Sequence, residues 1–217
     1  MRRITIFGAT GLIGGLLRNE LKDEHVILAV RKPLTHLFRY EQIEQVDFSN
    51  PKAYPSVFES DAICCCLGTT IKNVGGNQDK FKEIDAGYPI QIAQLAAKHG
   101  VGCLSVISSM GANKNSSVFY NRVKGEMEAG VLASNIPATT ILRPSLLLGQ
   151  RKEKRFGEKL AQIVMPVFNP LMFGKLRHYR AIKAEHVASV MASTVISPVT
   201  GQRILLSGDI EQQYQQL

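Results

Sequence analysis

Tyr120 and Lys124 stand four residues apart in Tyr120-Asn121-Arg122-Val123-Lys124. On a helix that spacing puts both on one face, where the ammonium can sit near the phenol and lower its pKa from about 10 by favouring the phenolate. A tyrosine brought toward neutrality can give a proton to a carbonyl oxygen that receives hydride, or take one from an alcohol. Upstream, the apolar run Cys103-Leu104-Ser105-Val106-Ile107 leads into two hydroxyls, Ser108 and Ser109, either of which can hold that oxygen. Standing alone, such a Tyr-Lys pair is more often an ordinary helix-surface pair, so its meaning depends on the elements around it.

Those elements start at the N-terminus. Ile4-Thr5-Ile6-Phe7 reads as a strand and Gly8-Ala9-Thr10-Gly11-Leu12-Ile13-Gly14 as a glycine turn. From there Leu12, Ile13, Leu16, Leu17 and Leu21 recur at helical spacing, with Arg18, Asn19, Glu20 and Lys22 on the other side. Strand, turn and helix in that order meet the structural condition of a dinucleotide fingerprint. Gly8 makes the tight turn, Gly11 lets the backbone approach a pyrophosphate, and Gly14 lets helix and strand pack closely. Gly8, Thr10, Gly11, Leu12 and Ile13 then surround phosphates at the helix N-terminus. His25 to Val30 reads as a second strand, whose end selects between NAD and NADP. Where an Asp or Glu would bond a ribose 2′-hydroxyl, the chain has Arg31 and Lys32, which suit a 2′-phosphate. NADP(H) is therefore the expected cofactor, the alternative being that Arg31-Lys32-Pro33 is a solvated loop.

Glu44 to Phe48 reads as a third strand and Asp61 to Leu67 as a fourth, the latter an apolar run suited to a parallel strand covered on both faces. Asp47 either meets an adenine edge or caps a turn. Leu67, Gly68 and Thr69 would let the backbone lie against the cofactor's ribose and phosphates. The polar segment Lys72 to Lys80 is a loop at the carboxyl edge of the sheet, and a helix follows from about Asp79 to His99, ended by Gly100. Cys103 to Ile107 makes a fifth strand, Thr139 to Leu142 a sixth and Arg203 to Leu206 a last one. The alternation predicts an α/β fold: a single doubly wound parallel-sheet Rossmann domain over residues 1–217, with a small C-terminal substrate region. Phe156 to Leu176, interrupted by Pro166 and Pro170, predicts a short helix and loop closing over a substrate pocket, with a membrane-surface helix as the rival. His186 falls on a helix face or pocket edge, and the tail Gln212 to Leu217 is expected to fray.

Composition narrows the function classes. The chain has 217 residues and a formal charge of +8 from 26 Lys+Arg against 18 Asp+Glu, which favours anionic ligands without choosing among them. Four Cys, three of them consecutive in Cys64-Cys65-Cys66, form neither a disulfide framework nor a spaced zinc site, and read as buried thiols of a reducing cytoplasm. No His is spaced as a metal ligand, so no metal is expected. No apolar stretch approaches the roughly 20 residues that span a bilayer. With no recognisable binding module and few clustered aromatics, nucleic acid is not an expected partner.

Taken together, Gly8 to Gly14, Cys66-Leu67-Gly68-Thr69-Thr70, Ser108-Ser109-Met110-Gly111-Ala112, Tyr120 to Lys124 and Arg143-Pro144 resemble an atypical short-chain dehydrogenase/reductase. They are most similar to the small Tat-interacting-protein-like oxidoreductases, and the matches run from Arg3 to about Gly149. The resemblance implies that Tyr120 is the acid/base and that Lys124 binds the nicotinamide ribose and tunes Tyr120. It implies further that Ser109 orients the carbonyl, with Ser108 as the second choice, and that the backbone at Pro144 contacts the nicotinamide. No motif supplies the Asn that completes a tetrad in some relatives. The expected function is NADP(H)-dependent oxidation or reduction of a small alcohol or carbonyl. The alternative is a regulatory or redox-sensing NADP(H)-binding protein with little turnover.

Overall fold

Strands and helices alternate along the chain because short β-branched runs alternate with segments of helical periodicity. The structure is a computed structural model and describes residues 1–149 and 180–217. The strands are β1 (Arg3–Phe7), β2 (His25–Val30), β3 (Glu41–Gln45), β4 (Ala62–Cys65), β5 (Cys103–Ile107), β6 (Ala138–Arg143), a short pair β7 (Leu147–Leu148) and β8 (Ile182–Lys183), and β9 (Gly201–Leu206). The main sheet has seven strands in the order β3-β2-β1-β4-β5-β6-β9. Every neighbouring pair in it is parallel.

Parallel strands need crossovers, and these place helices on both faces. On one face α1 (Leu12–Glu20) and the helix Ala184–Ile196 set Leu17, Leu21, Val187 and Met191 against Ile4, Ile6, Leu28 and Cys64. On the other, the helices Tyr88–Lys98 and Phe119–Leu132 set Ile92, Ala96, Val123 and Met127 against Phe7, Ile63, Cys65 and Leu104. Leu17 is fully buried, so truncating it to Ala would cost about 2–5 kcal/mol. Numbered in order, the helices after α1 are α2 (Gln78–Lys82), α3 (Tyr88–Lys98), α4 (Phe119–Leu132), α5 (Ala184–Ile196) and α6 (Ser207–Tyr214). From β1 the chain winds outward to β3, then returns to β4 and winds the other way. The reversal opens a crevice between the carboxyl ends of β1 and β4, the place where open α/β sheets bind ligands.

Several boundaries depart from the sequence reading. The third strand is Glu41–Gln45, three residues before the expected Glu44 to Phe48, and pairs Val26 with Glu41 through Val30 with Gln45. It is an edge strand, so Glu41, Gln42, Glu44 and Gln45 can be polar, and the apolar signal rises only beyond it at Val46 and Phe48, which are buried in the core. Glu41 also receives a forked pair of 2.7 Å hydrogen bonds from Arg18 of α1. The fourth strand is shorter than Asp61 to Leu67 because β4 ends at Cys65, where the backbone turns into the crevice. The single helix expected from Asp79 to His99 is α2, a π-helical turn at Glu83–Gly87, and α3. Pro89 has no N–H to donate to the carbonyl of Asp85, and the ladder widens there.

The tail is more ordered than expected. α6 runs to Tyr214, buries Ile210, and stacks the Tyr214 ring on His186 at 3.8 Å, while His186 Nδ1 lies 2.8 Å from Glu211. Phe156 to Leu176, read as the pocket-closing segment, lies outside the described residues. Among the described residues no helix is long and apolar enough to cross a membrane.

Candidate active site

The glycine turn is fixed by three close approaches. Gly8 has φ +85°, and a Cβ there would lie 2.7 Å from the carbonyl carbon of Cys66, so the first turn needs glycine both for conformation and for room. A Cβ on Gly14 would lie 2.2 Å from the Gly8 oxygen, which lets α1 pack directly on the turn. Gly11 donates its N–H to Gly8 O at 3.0 Å and precedes α1 with no side-chain cap and no acidic residue in the first turn. The first amides of α1 and the positive end of its dipole are thus left without a capping side chain or an acidic residue in the first turn. These features fit a dinucleotide pyrophosphate.

Arg31 and Lys32 follow β2 directly, are exposed, and have no carboxylate partner among the described residues. Arg31 shares a shallow hollow with Gln45, Val46, Asp47 and Tyr54. Asp47 caps its turn: Oδ1 accepts from the Ser49 amide at 2.9 Å and the Ser49 hydroxyl at 2.7 Å, and these bonds hold its carboxyl below the usual range. The same residue lines the hollow, so capping and lining coexist.

Across the crevice, α4 carries Tyr120 and Lys124 on one face, as their spacing requires. Tyr120 is 38% exposed, and its ring lies 5.9 Å from that of Phe81. Lys124 is buried, and its Nζ lies 2.7 Å from Oδ1 of Asp85. Burial alone pulls the ammonium's pKa down, but the Asp85 carboxylate and the nearby Tyr120 phenol more than offset it, and the net shift is upward. Asp85 Oδ2 accepts the Thr69 amide at 2.7 Å, so one buried carboxylate joins the turn after β4 to the Tyr-Lys helix. A Cβ on Gly68 would sit 3.4 Å from Asp85 Oδ1 and 3.9 Å from Lys124 Nζ, so Gly68 keeps that turn against the pair.

The two serines part company. The Ser108 hydroxyl is buried and donates to Glu128 Oε1 at 2.5 Å, and Glu128 also takes the fork of Arg143. The Ser109 hydroxyl oxygen is buried with no hydrogen-bond partner among the described residues. An unpartnered buried hydroxyl costs about 1–3 kcal/mol, and among the described residues the Ser60 hydroxyl is in the same state. Pro144 is tied to the same turn: its carbonyl accepts the Met110 amide at 2.9 Å. The loop after Ser109 crosses α4 at Gly125, where a Cβ would lie 2.1 Å from the Lys114 amide nitrogen.

Two residues that build this site had escaped the sequence reading: Asp85 and Glu128. Glu128 had a usable signal, since it stands four residues beyond Lys124 on the same helical face. Asp85 had none, because a lone Asp in a helical stretch is usually surface. No group of three His, Cys, Asp or Glu among the described residues could hold a metal ion. The four cysteines are free, and burial pushes Cys65 and Cys103 up to about 11.

A family model described as NAD(P)H-binding matches residues 8–198. Protein HTATIP2 of Rattus norvegicus is 34% identical over 213 residues, covering 94% of this chain and 86% of that protein. The mitochondrial protein FMP52 of Candida glabrata is 36% identical over 161 residues, covering 71% of this chain and 69% of that protein. Among solved structures, MoeE5 in complex with UDP-glucose and NAD matches with a TM-score of 0.72 at 13% identity, covering 99% of this chain and 81% of that one. The oxidoreductase ylbE from Lactococcus lactis matches with a TM-score of 0.68 at 16% identity, covering 99% and 96%. At such identities the structures show a shared fold. The chain belongs to the NAD(P)H-binding family.

Proposed function

We propose that this chain is an NADP(H)-dependent oxidoreductase of the short-chain dehydrogenase/reductase type, acting on a small carbonyl or alcohol. The observation that carries the reading is the exposed Tyr120 phenol one helical turn from the buried Lys124 on α4, and the Ser109 hydroxyl, unpartnered among the described residues, supports it. Gly8, Thr10, Gly11, Leu12 and Ile13 would hold the pyrophosphate, Arg31 and Lys32 the 2′-phosphate, and Asp47 the adenine edge. Leu67, Gly68, Thr69, Lys124 and Pro144 would hold the nicotinamide half. When bound, the cofactor supplies a hydride to the carbonyl carbon in one direction and takes one from the alcohol carbon in the other.

The chain's own groups do the rest. The Ser109 Oγ–H donates to the carbonyl oxygen and fixes its position. The Tyr120 phenol passes its proton to that oxygen as negative charge builds there, leaving a phenolate that solvent can reprotonate. Lys124, charged and buried, favours that phenolate.

One observation favours a second reading, a nucleotide-binding regulator with little turnover. Asp85 neutralises Lys124, so only part of the ammonium's field reaches Tyr120. Free, protonated thiols support a reducing compartment such as the cytoplasm, whereas the fungal relatives are named as mitochondrial proteins. A panel of aldehydes and ketones with NADPH, run on wild type and Tyr120→Phe, decides between the readings. Turnover lost in the variant supports the enzyme, and tight NADPH binding without turnover on any compound supports the regulator.

A further inference from the structure

Three chain segments that supply the site meet at one buried carboxylate. Glu128, 3% exposed, lies on α4 one turn beyond Lys124 and two beyond Tyr120, on the same face. Its Oε1 accepts both the Ser108 hydroxyl, at 2.5 Å, and Arg143 Nε, at 2.9 Å, while its Oε2 takes Arg143 NH2 at 2.5 Å. Ser108 belongs to the turn after β5, and Arg143 ends β6. Backbone bonds bind the same two segments: Ser108 N to Leu142 O at 2.8 Å and Met110 N to Pro144 O at 2.9 Å.

This bonding pattern settles which serine is aimed where. Consecutive residues leaving a strand point in different directions, so a carboxylate that captures Ser108 on the α4 side turns Ser109 away from it. Glu128 therefore holds the Ser108 hydroxyl on the α4 side, and the Ser109 hydroxyl is without a partner among the described residues. A hydrophobic residue could fill the same volume, and replacing a buried ion pair with apolar groups is often neutral or stabilising. A stability role alone thus gives little reason for a forked acid at this point.

We infer that Glu128 is a positioning residue: by gripping Ser108 and Arg143 together it aims the Ser109 hydroxyl and the Pro144 backbone at the same place that Tyr120 faces. The inference rests on the reading of Ser109 as the hydroxyl that meets substrate, but its geometry is testable without turnover. Glu128→Gln keeps size and one acceptor while losing the charge and half of the grip.

The experiment uses the full chain with saturating NADPH and follows amide hydrogen exchange at Ser108 and Met110, alongside the melting temperature. Glu128→Gln should speed exchange at both amides at least about tenfold, while β1 amides stay within twofold. Glu128→Gln with Arg143→Met removes the uncompensated cation and should recover the melting temperature without recovering the protection. A role in charge balance alone would restore both together, and unchanged exchange at Ser108 and Met110 in Glu128→Gln would overturn the inference outright. If Glu128→Gln alone does not fold, the double variant and Arg143→Lys carry the same exchange reading. Where a carbonyl substrate is turned over, Glu128→Gln should cut kcat about tenfold or more in the wild-type background and less than threefold when Ser109 is already Ala. Equal losses in both backgrounds would sever Glu128 from Ser109. Absence of turnover in wild type removes the enzyme reading and leaves the exchange result standing on its own.

Discussion

Asp85 and Lys124 meet at 2.7 Å with side chains only 1% and 6% exposed, and the same carboxylate holds the Thr69 amide. Asp85 is thereby the joint between the turn after β4 and the helix that carries Tyr120. Both charges have left water, a cost that their mutual attraction and the amide bond must offset, and removing one partner strands the other. Asp85→Ala should destabilise the fold by about 3–5 kcal/mol in urea titrations at neutral pH. The pH dependence follows from Lys124, whose pKa is raised above its ordinary 10.5 in the fold. A raised pKa contributes stability that is complete below the unfolded value and is lost as pH climbs through the folded one. Without Asp85, burial is left to lower the Lys124 pKa, so the gap between wild type and Asp85→Ala should be widest at low pH and narrow progressively as pH rises toward the raised pKa of the wild-type ammonium. A gap that stays unchanged to above about 10.5 would show that Lys124 is not the partner at stake.

Arg31 carries the second prediction. Exposed immediately past β2 and beside the Asp47 hollow, it can pair in forked geometry with a 2′-phosphate that NADH lacks. NADPH should bind more tightly than NADH, with the preference shrinking as salt rises. Arg31→Ala should weaken NADPH about 10- to 100-fold and NADH less than threefold by calorimetry. Equal affinity of wild type for both nucleotides would place these cations in solvent.

What the sequence reveals and conceals here follows a physical division. The crevice was legible at Gly8 and Gly14 because glycine's conformational freedom and missing Cβ are local properties, and the structure shows both in use. The buried strands were legible in apolar runs such as Ile63 to Cys65, since a parallel strand buried on both faces must be apolar throughout. β3 was misplaced because an edge strand satisfies its outer face with water, so its polar residues hid the ladder. Asp85 went unseen because its partners Thr69 and Lys124 are distant in the chain, and local spacing contains no record of such a meeting. Glu128 stands at helical spacing from Lys124, but that spacing does not record its partners Ser108 and Arg143.

Gly125 yields a third prediction that needs no cofactor. It stands directly after Lys124, and a methyl there would lie 2.1 Å from the Lys114 amide nitrogen and 2.3 Å from the Asn113 carbonyl carbon. Because backbone blocks it, the loop from Ser109 must lift off α4. Gly125→Ala improves helix propensity by about 1 kcal/mol, yet the clash should win and leave the fold at least about 1–3 kcal/mol less stable. Gly15→Ala, on α1 with its nearest neighbour at 3.8 Å, is the control and should be neutral or stabilising. Urea midpoints for the two variants check the contrast, and a stabilised Gly125→Ala would show that the loop does not pack on the helix.

Tyr120→Phe is the most direct test of the chemistry. The phenol is exposed, and the ring lies tilted against Phe81 at 5.9 Å, so losing only the hydroxyl should leave stability within about 0.5 kcal/mol. Arg31, the glycine turn and the Asp85–Lys124 pair are untouched, so NADPH affinity should stay within a few-fold. Proton delivery to the carbonyl oxygen, by contrast, loses the hydroxyl proposed to supply it, and carbonyl reduction should fall at least about 10²-fold. Lys124→Ala should injure both binding and rate, since it removes the proposed cofactor contact and the charge beside Tyr120. Following the absorbance of the reduced nicotinamide for wild type and both variants separates these effects. A Tyr120→Phe variant as active as wild type would remove Tyr120 from the chemistry.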